Sequence, residues 1–508
     1  MILRKRFVII ILMWHIGIDL GQSQYLYDAN IVMGYWSPGG FKDPIIDFSG
    51  DTVSISYDTL AFRMGDGSVV MSNNEGQLKF YFNGCLVSNA NHRIVKNGDG
   101  LNPGKVYNNY CGIGYDYPST PQFHIAFPTN VTDKYLLVHK SIVDRIIDGK
   151  LEITSKMLYS IIDFSKEPEG EVTVKNQPIF SDTILSSSPM AAVKHSNGRD
   201  WWIVFLDQSP VERYYTLLYS DGTFIEKGVQ EFDFPTSSGG GVSGFSNDGL
   251  TYYKYENPDG LILMDFDRST GRFSRRRQLP IEQKAVFTGG CMSPSGQFVY
   301  IGNGPDLYQV DITTDPMEVD TIALWDGTLD TFGIFQPIDY GRMVLAPDCR
   351  IYMQTTSCTR HMHIIMQPDE KGKACDFRYR ALRFPTPVCN LPYHPNYRLD
   401  TPYPFCDPNK VVATATVSYF YPDVSSTAFT PHLYPNTGTD ILHISLPSEG
   451  TSGDLLYTIY DISGKPHLYG HLHEGTSEID TAALPSGIYI VTLTDSSGKH
   501  RRGKWVKM

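Results

Sequence analysis

His361 and His363 lie one residue apart in a β-type run, so their imidazoles share one strand face and form the beginning of a metal site. With no third ligand identifiable beside them, a structural histidine pair is the simpler reading. The turn Asn97–Asn102 and the pair Asp265 and Asp267 offer carboxylates and carbonyls of the kind calcium takes. Neither carries an EF-hand pattern, and Asp and Asn are the ordinary builders of turns. His195, before the turn Ser196, Asn197 and Gly198, is expected to fix a corner by hydrogen bonding. Tyr35, Trp36, Trp201, Trp202, Tyr214 and Tyr215 are rings that could line a sugar- or peptide-binding face, although adjacent pairs must send one ring to each side of a strand. There is no HExxH, GxSxG, phosphate loop or dinucleotide fingerprint. No catalytic residue and no cofactor is therefore assigned, and calcium is the one ion the turns suit.

The elements that must position these residues are strands. From about residue 50 to 360 short β-type runs such as QLKFYF from Gln77, DWWIVFL from Asp200 and GQFVYIG from Gly296 are punctuated by turn residues, and no amphipathic helix of three turns intervenes. Aromatic residues make up 13% of the chain, with 45 Gly and 32 Pro, a composition suited to strands and tight turns. At 508 residues the chain exceeds one ordinary core, so several domains or one closed repeat architecture are expected. A formal charge of -12 argues against nucleic acid or anionic membranes as partners.

Eight cysteines can form disulfides if the chain is exported. Cys349 with Cys358 and Cys85 with Cys111 are the candidate local bridges, although sequence leaves the connectivity open. Export is indicated by Arg4, Lys5 and Arg6, the apolar run from Phe7 to about Ile18, and small polar residues up to Ser23: residues 1–23 read as a signal peptide cleaved before Gln24. No later segment reads as a membrane span.

A local pattern recurs: a small or apolar residue, a turn of Asp, Asn, Ser and Gly, then an aromatic strand. It appears as FSNDGLTYY from Phe245, MSPSGQFVY from Met292 and LAPDCRIYM from Leu345, at roughly the fifty-residue spacing of one four-stranded propeller blade. With GQLKFYFNGCLVSNANHRIVKNGDGL from Gly76, VKHSNGRDWWIV from Val193 and DFDRSTG from Asp265, these stretches resemble secreted β-propeller proteins of the WD-repeat-like type, over about residues 30 to 400. The resemblance implies a fold and a surface location but no reaction. SNDGLTYY is also similar to the Asp box of sialidase propellers, but Asp248 directly precedes Gly249 where that motif has a residue between, so it reads as a turn.

After Asp400 the pattern fades into a Pro-rich stretch read as a connector. YPNTGTDILHISL from Tyr434, YTIYDISGK from Tyr457, IDTAALPSGIYIVTLTD from Ile479 and the basic end resemble the type IX secretion carboxy-terminal sorting domain, a small immunoglobulin-like sandwich. That resemblance places the sorting signal on Pro435, Asn436, Gly464, Gly487, Tyr489, Lys504 and Lys507; Thr437 departs from the family's second Pro.

The expectation is an all-β chain: signal peptide 1–23, a six- or seven-bladed β-propeller over 24–406, a linker over 407–430, and a sorting domain over 431–508 built as an immunoglobulin-like β-sandwich. It would be secreted or held at the cell surface after passing the periplasm, handled by the type IX machinery, and would bind envelope proteins or glycans without catalysis. The alternative is a propeller hydrolase, glycosidase or peptidase, with a dispersed site.

Overall fold

The computed structural model describes residues 25–34, 42–147, 150–180, 188–208, 211–234, 241–256, 259–282, 284–285, 288–330, 336–402, 404–412, 432–434, 437–438, 440–445, 455–461, 465–472, 476–494 and 500–507. The expected signal peptide lies outside them, as do Tyr35 and Trp36. The chain divides between Tyr419 and Phe420 into two compact units.

The larger unit is all-β. Four consecutive up-and-down sheets of four strands run from His124–Pro128 to Glu171–Pro178, from Met190–Lys194 to Thr223–Phe232, from Val242–Phe245 to Arg272–Leu279, and from Gly289–Met292 to Glu318–Leu324. A further one spans Met343–Leu345 to Phe377–Val388, and a three-stranded sheet (Val69–Ser72, Leu78–Phe82, Val87–Asn89) precedes them. The sheet that starts the unit, Asn30–Val32, Asp43–Asp47 and Thr52–Asp58, takes its fourth strand from Val411–Val412, which pairs parallel to Thr52–Asp58 from the far end of the unit. Numbered by their first strands, these are seven sheets, and a two-stranded pair, Leu329–Asp330 with Gln336–Pro337, lies in sequence between the sixth and the seventh.

Alternation explains how each sheet serves two neighbours. Trp201 and Trp202 are consecutive on one strand, and their rings enter different cores, Trp201 with Phe127, Ile203 and Phe205, Trp202 with Val204, Tyr252 and Phe266. Tyr252 and Tyr253 repeat the device one sheet on. Interfaces formed this way join the third sheet to the fourth, fourth to fifth, fifth to sixth, sixth to seventh, and the seventh back to the first through Tyr352, Met362, Ile46 and Val53. Each fully buried large side chain contributes roughly 1.5–3 kcal/mol. The result is a β-propeller-like fold in which the returning chain pairs with the start of the first sheet's outer strand, at Thr52 and Val53.

The recurring turn has a definite geometry. In FSNDG the Gly249 N–H donates to the Ser246 carbonyl at 2.8 Å, the Thr251 N–H donates to Ser246 Oγ at 2.9 Å, and Gly249 has φ 73°. Gly198 and Gly296 occupy the same place, with φ 71° and 78°. In LAPDC the place belongs to Cys349, with φ 62°, a conformation that disfavours a side chain. The thiol explains the exception, because Cys349 is bridged to Cys406.

The structure pairs Cys85 with Cys111, Cys349 with Cys406 and Cys358 with Cys389, leaving Cys291 and Cys375 as buried thiols. The expected Cys349–Cys358 bridge is therefore corrected. Strand Ile351–Gln354 separates the two residues, and at about 3.3 Å per residue an extended segment holds them well beyond the roughly 7 Å Cα separation a disulfide tolerates.

The smaller unit holds a three-stranded sheet (His432–Tyr434, Ile441–Ser445, Thr476–Asp480) and a five-stranded one (Thr437–Gly438, His500–Lys507, Gly487–Thr494, Leu455–Asp461, Pro466–Leu472). Leu442, Ile444 and Ile479 from the first meet Ile459, Val491 and Trp505 from the second in one core. No helix among the described residues is long and apolar enough to cross a membrane.

Candidate functional site

The first strands of successive sheets face a central axis, and the chain itself fills that axis. Residues 389–400 leave the seventh sheet and run alongside these inner strands. The Asn390 amide donates to the Met64 carbonyl at 2.7 Å, and the Leu391 N–H donates to Gln354 Oε1 at 2.9 Å. Further along, the Ala192 N–H donates to the Tyr393 hydroxyl at 3.3 Å, Tyr397 donates to the Ala126 carbonyl at 3.0 Å, and Lys194 Nζ donates to the Leu399 carbonyl at 3.1 Å. Contacts that start at the level of Gln354 and finish past Lys194 show that the segment passes the full length of the inner strands. Its ends are stapled to opposite ends of Ile351–Gln354 by Cys358–Cys389 and Cys349–Cys406.

Charge inside this plug is neutralised in place. Arg398 is 3% exposed and makes a two-pronged bond to Asp28, 4% exposed, at 2.8 and 2.6 Å. Beside the plug remains a cavity of about 100 Å³ lined by Gln122, His124, Tyr253, Arg342 and His394 among others. Gln122 ties three sheets together there, donating to the Met190 carbonyl at 3.2 Å and exchanging hydrogen bonds with the Ser243 backbone at 2.5 and 2.9 Å. Arg342 pairs with Asp66 at 3.0 Å. The ring nitrogens of His124 and His394 are covered from solvent. Burial pushes the His124 imidazolium far below its usual range and that of His394 down to about 4, so both rings are uncharged at neutral pH. This arrangement offers neutral donors and acceptors suited to water or a small polar guest. Among the described residues that line it, Asp66 is the one carboxylate.

A second concavity lies on the outside. The excursion between the second and third sheets carries the short helix Lys105–Tyr110, which buries none of its residues and is held by Cys85–Cys111. A cleft of about 600 Å³ opens between it and the third sheet, with Pro103, Val106, Ile142 and Leu158 in its wall and Lys105 and Lys156 among its polar groups. Nearby Tyr110, Ile113 and Tyr115 are 43%, 67% and 50% exposed, and the Arg63 guanidinium sits 5.2 Å from the Tyr115 ring centroid.

The residues singled out in the sequence fall mostly into structural roles. His363 receives the Arg380 N–H at 2.9 Å, contacts the Asp339 carbonyl at 3.0 Å and stacks on Tyr379. His361 faces Asp330 at 3.7 Å. In the oxygen-rich turn the Lys175 ammonium occupies the calcium-like position, 2.9 Å from Asn97 Oδ1 and 3.4 Å from Asp99. Asp267 caps Ser269 and Thr270, which holds its carboxyl down at about 2, while Asp265 pairs with Arg275 at 3.1 Å. His195 receives the Asn197 N–H at 3.0 Å and fixes its corner. Trp201, Trp202 and Tyr214 are buried, and Tyr215 stacks on Phe205. The plug was missed because LPYHPNYRLD has no strand periodicity. The signal available was its bracketing by Cys389 and Cys406.

In the smaller unit Gly487 pairs with Lys507 and Tyr489 with Trp505 across one hairpin, and Lys504 stands opposite Ile490. The Tyr489 hydroxyl donates to the Pro485 carbonyl at 2.7 Å, and the buried Lys507 amine donates to the Thr481 carbonyl, 3.5 Å from Asp440. Pro435, Asn436 and Gly464 lie outside the described residues.

Residues 432–507 match the family model described as the secretion system C-terminal sorting domain. The chain therefore carries a type IX sorting signal, is handled by that secretion machinery, and is secreted or displayed at the cell surface. A search of curated proteins found no match. Among solved structures, a 6-phosphogluconolactonase candidate from Bacteroides uniformis is similar at 12% identity and TM-score 0.42, covering 71% of this chain and 98% of that one. The β-propeller domain of Cps50 (Swd1) from Myceliophteria thermophila is similar at 10% identity and TM-score 0.29, covering 57% and 94%. NanB sialidase from Streptococcus pneumoniae is similar at 9% identity and TM-score 0.31, covering 72% and 67%. Likeness at this level carries no activity over to this chain.

Proposed function

We propose that the protein is an exported, non-catalytic binding protein: a cleavable signal peptide over 1–23, a seven-bladed β-propeller over 24–406 closed by Val411–Val412, and an immunoglobulin-like sorting domain over 431–508. The observation that carries this reading is the plugged axis. Strands from many sheets converge there, yet the space is taken by residues 389–400, where Asp28 is paired with Arg398, and Asp66 is paired with Arg342 beside it. Ligand recognition is thereby moved to the outer surface, where the disulfide-held excursion presents Tyr110, Ile113 and Tyr115 beside the Lys105 and Lys156 cleft. Aromatic and aliphatic side chains held at low conformational cost are the usual anchors of binding faces.

The test is to present the purified mature protein to a glycan array, to envelope fractions and to a panel of glycoside and peptide substrates. Retention of a glycan or envelope partner, weakened at least about tenfold by Ile113→Asp and without turnover, is expected. Turnover of a panel substrate that Asp66→Asn abolishes would establish the hydrolase reading instead.

A further inference from the structure

The two bridges that hold the plug are nested. Cys349 pairs across 57 residues with Cys406 and Cys358 across 31 with Cys389, and Cys375 stays free between them. Five cysteines can place two bridges in roughly fifteen ways, five choices of the thiol left out times three pairings of the rest. Loop closure favours the wrong choice. Cys349 and Cys358 are nine residues apart, so in an unfolded chain their encounter is favoured about 15-fold over Cys349–Cys406 and about 6-fold over Cys358–Cys389. The local bridge is also a dead end, because strand Ile351–Gln354 cannot extend between two joined cysteines. Cys358 and Cys389 flank the paired residues Thr359 and Val388 of one hairpin, whereas Cys406 reaches Cys349 only after residues 390–402 have passed along the inner strands.

We infer that this chain is a client of a thiol–disulfide isomerase, and that seating the plug proceeds by exchange out of a Cys349–Cys358 bridge. In the exchange an isomerase thiolate attacks Cys349 Sγ, forming a mixed disulfide and releasing the Cys358 thiolate. The Cys406 thiolate then attacks Cys349 Sγ, forming the native bridge and returning the isomerase as its thiolate, with no net oxidation. Cys358 and Cys389 are joined in a separate step, in which a disulfide donor, protein or glutathione, accepts two electrons and two protons.

The experiment is oxidative refolding of the full mature chain from the reduced, denatured state in glutathione buffer, with and without a catalytic amount of a Cys-x-x-Cys isomerase. Samples are alkylated at intervals and their bridges mapped by mass spectrometry of non-reduced peptides. The Cys349–Cys358 peptide is expected to lead early and then decay into the two native pairs, at least about tenfold faster with isomerase. Native pairs present from the outset, or a conversion that isomerase leaves unchanged, would overturn the inference. As a second arm, Cys358→Ser with Cys389→Ser removes the local trap. Isomerase should then change the rate of Cys349–Cys406 formation less than about twofold, and a retained tenfold dependence would equally overturn it.

Discussion

Arg398 and Asp28 face each other almost without solvent, so removing one charge strands the other in a place where its hydration cannot be restored. Arg398→Met is expected to destabilise the larger unit by about 3–5 kcal/mol, whereas adding Asp28→Leu should recover much of that loss, read as denaturant midpoints of the two variants. The buried imidazoles make a second residue-scale prediction. Burial lowers His139 to about 3 and His363 and His394 to about 4, so each takes up a proton more readily unfolded than folded. Their stabilisation is complete above the unfolded value near 6.5 and is lost as pH falls toward the folded values, by roughly 1.4 kcal/mol per group per pH unit. Melting followed from pH 7 to pH 5 should show a steep fall that His394→Asn reduces, and a flat profile would contradict the assignment.

Strands and turns were the legible part of the molecule. The pattern ending in Gly249, Gly296 and Cys349 marks one place in successive sheets because a backbone with φ near +70° needs glycine or a reason to replace it, and Cys349 supplies that reason through Cys406. The bridges themselves were legible only where they are local. Cys85–Cys111 closes one excursion, whereas Cys349–Cys406 depends on a path through the axis that no periodicity announces. The closing strand Val411–Val412 was hidden for the same reason, since two residues carry no alternation to read. Among the candidate site residues, Asp267 caps its own turn, while His124 and His394 carry no motif and become neighbours of one cavity only through the fold. Two variants test the elements. Gly289 approaches the Gly341 carbonyl so closely that an added Cβ would lie 2.2 Å from its oxygen, so Gly289→Ala should cost about 1–3 kcal/mol by forcing two inner strands apart. Cys85→Ser should loosen the helix Lys105–Tyr110, which has no fully buried residue, and raise amide exchange across residues 104–115 by about tenfold or more while the inner strands stay protected.

At the scale of the whole molecule, the two units divide the work. The larger has a β-propeller-like fold whose axis is filled by residues 389–400 of the same chain, which favours a stable, protease-resistant body. The smaller carries the address: its hairpin sets Gly487 and Tyr489 against the strand that ends at Lys507, within the segment matching the sorting family. Export also makes sense of three disulfides in one unit, because bridges of that kind persist in oxidising compartments. The most direct test is to delete residues 432–508 and follow the protein through periplasmic, surface and medium fractions beside the full chain. The account predicts that the truncated protein, with its ring intact, accumulates in the periplasm; equal arrival of both forms at the surface or in the medium would contradict it.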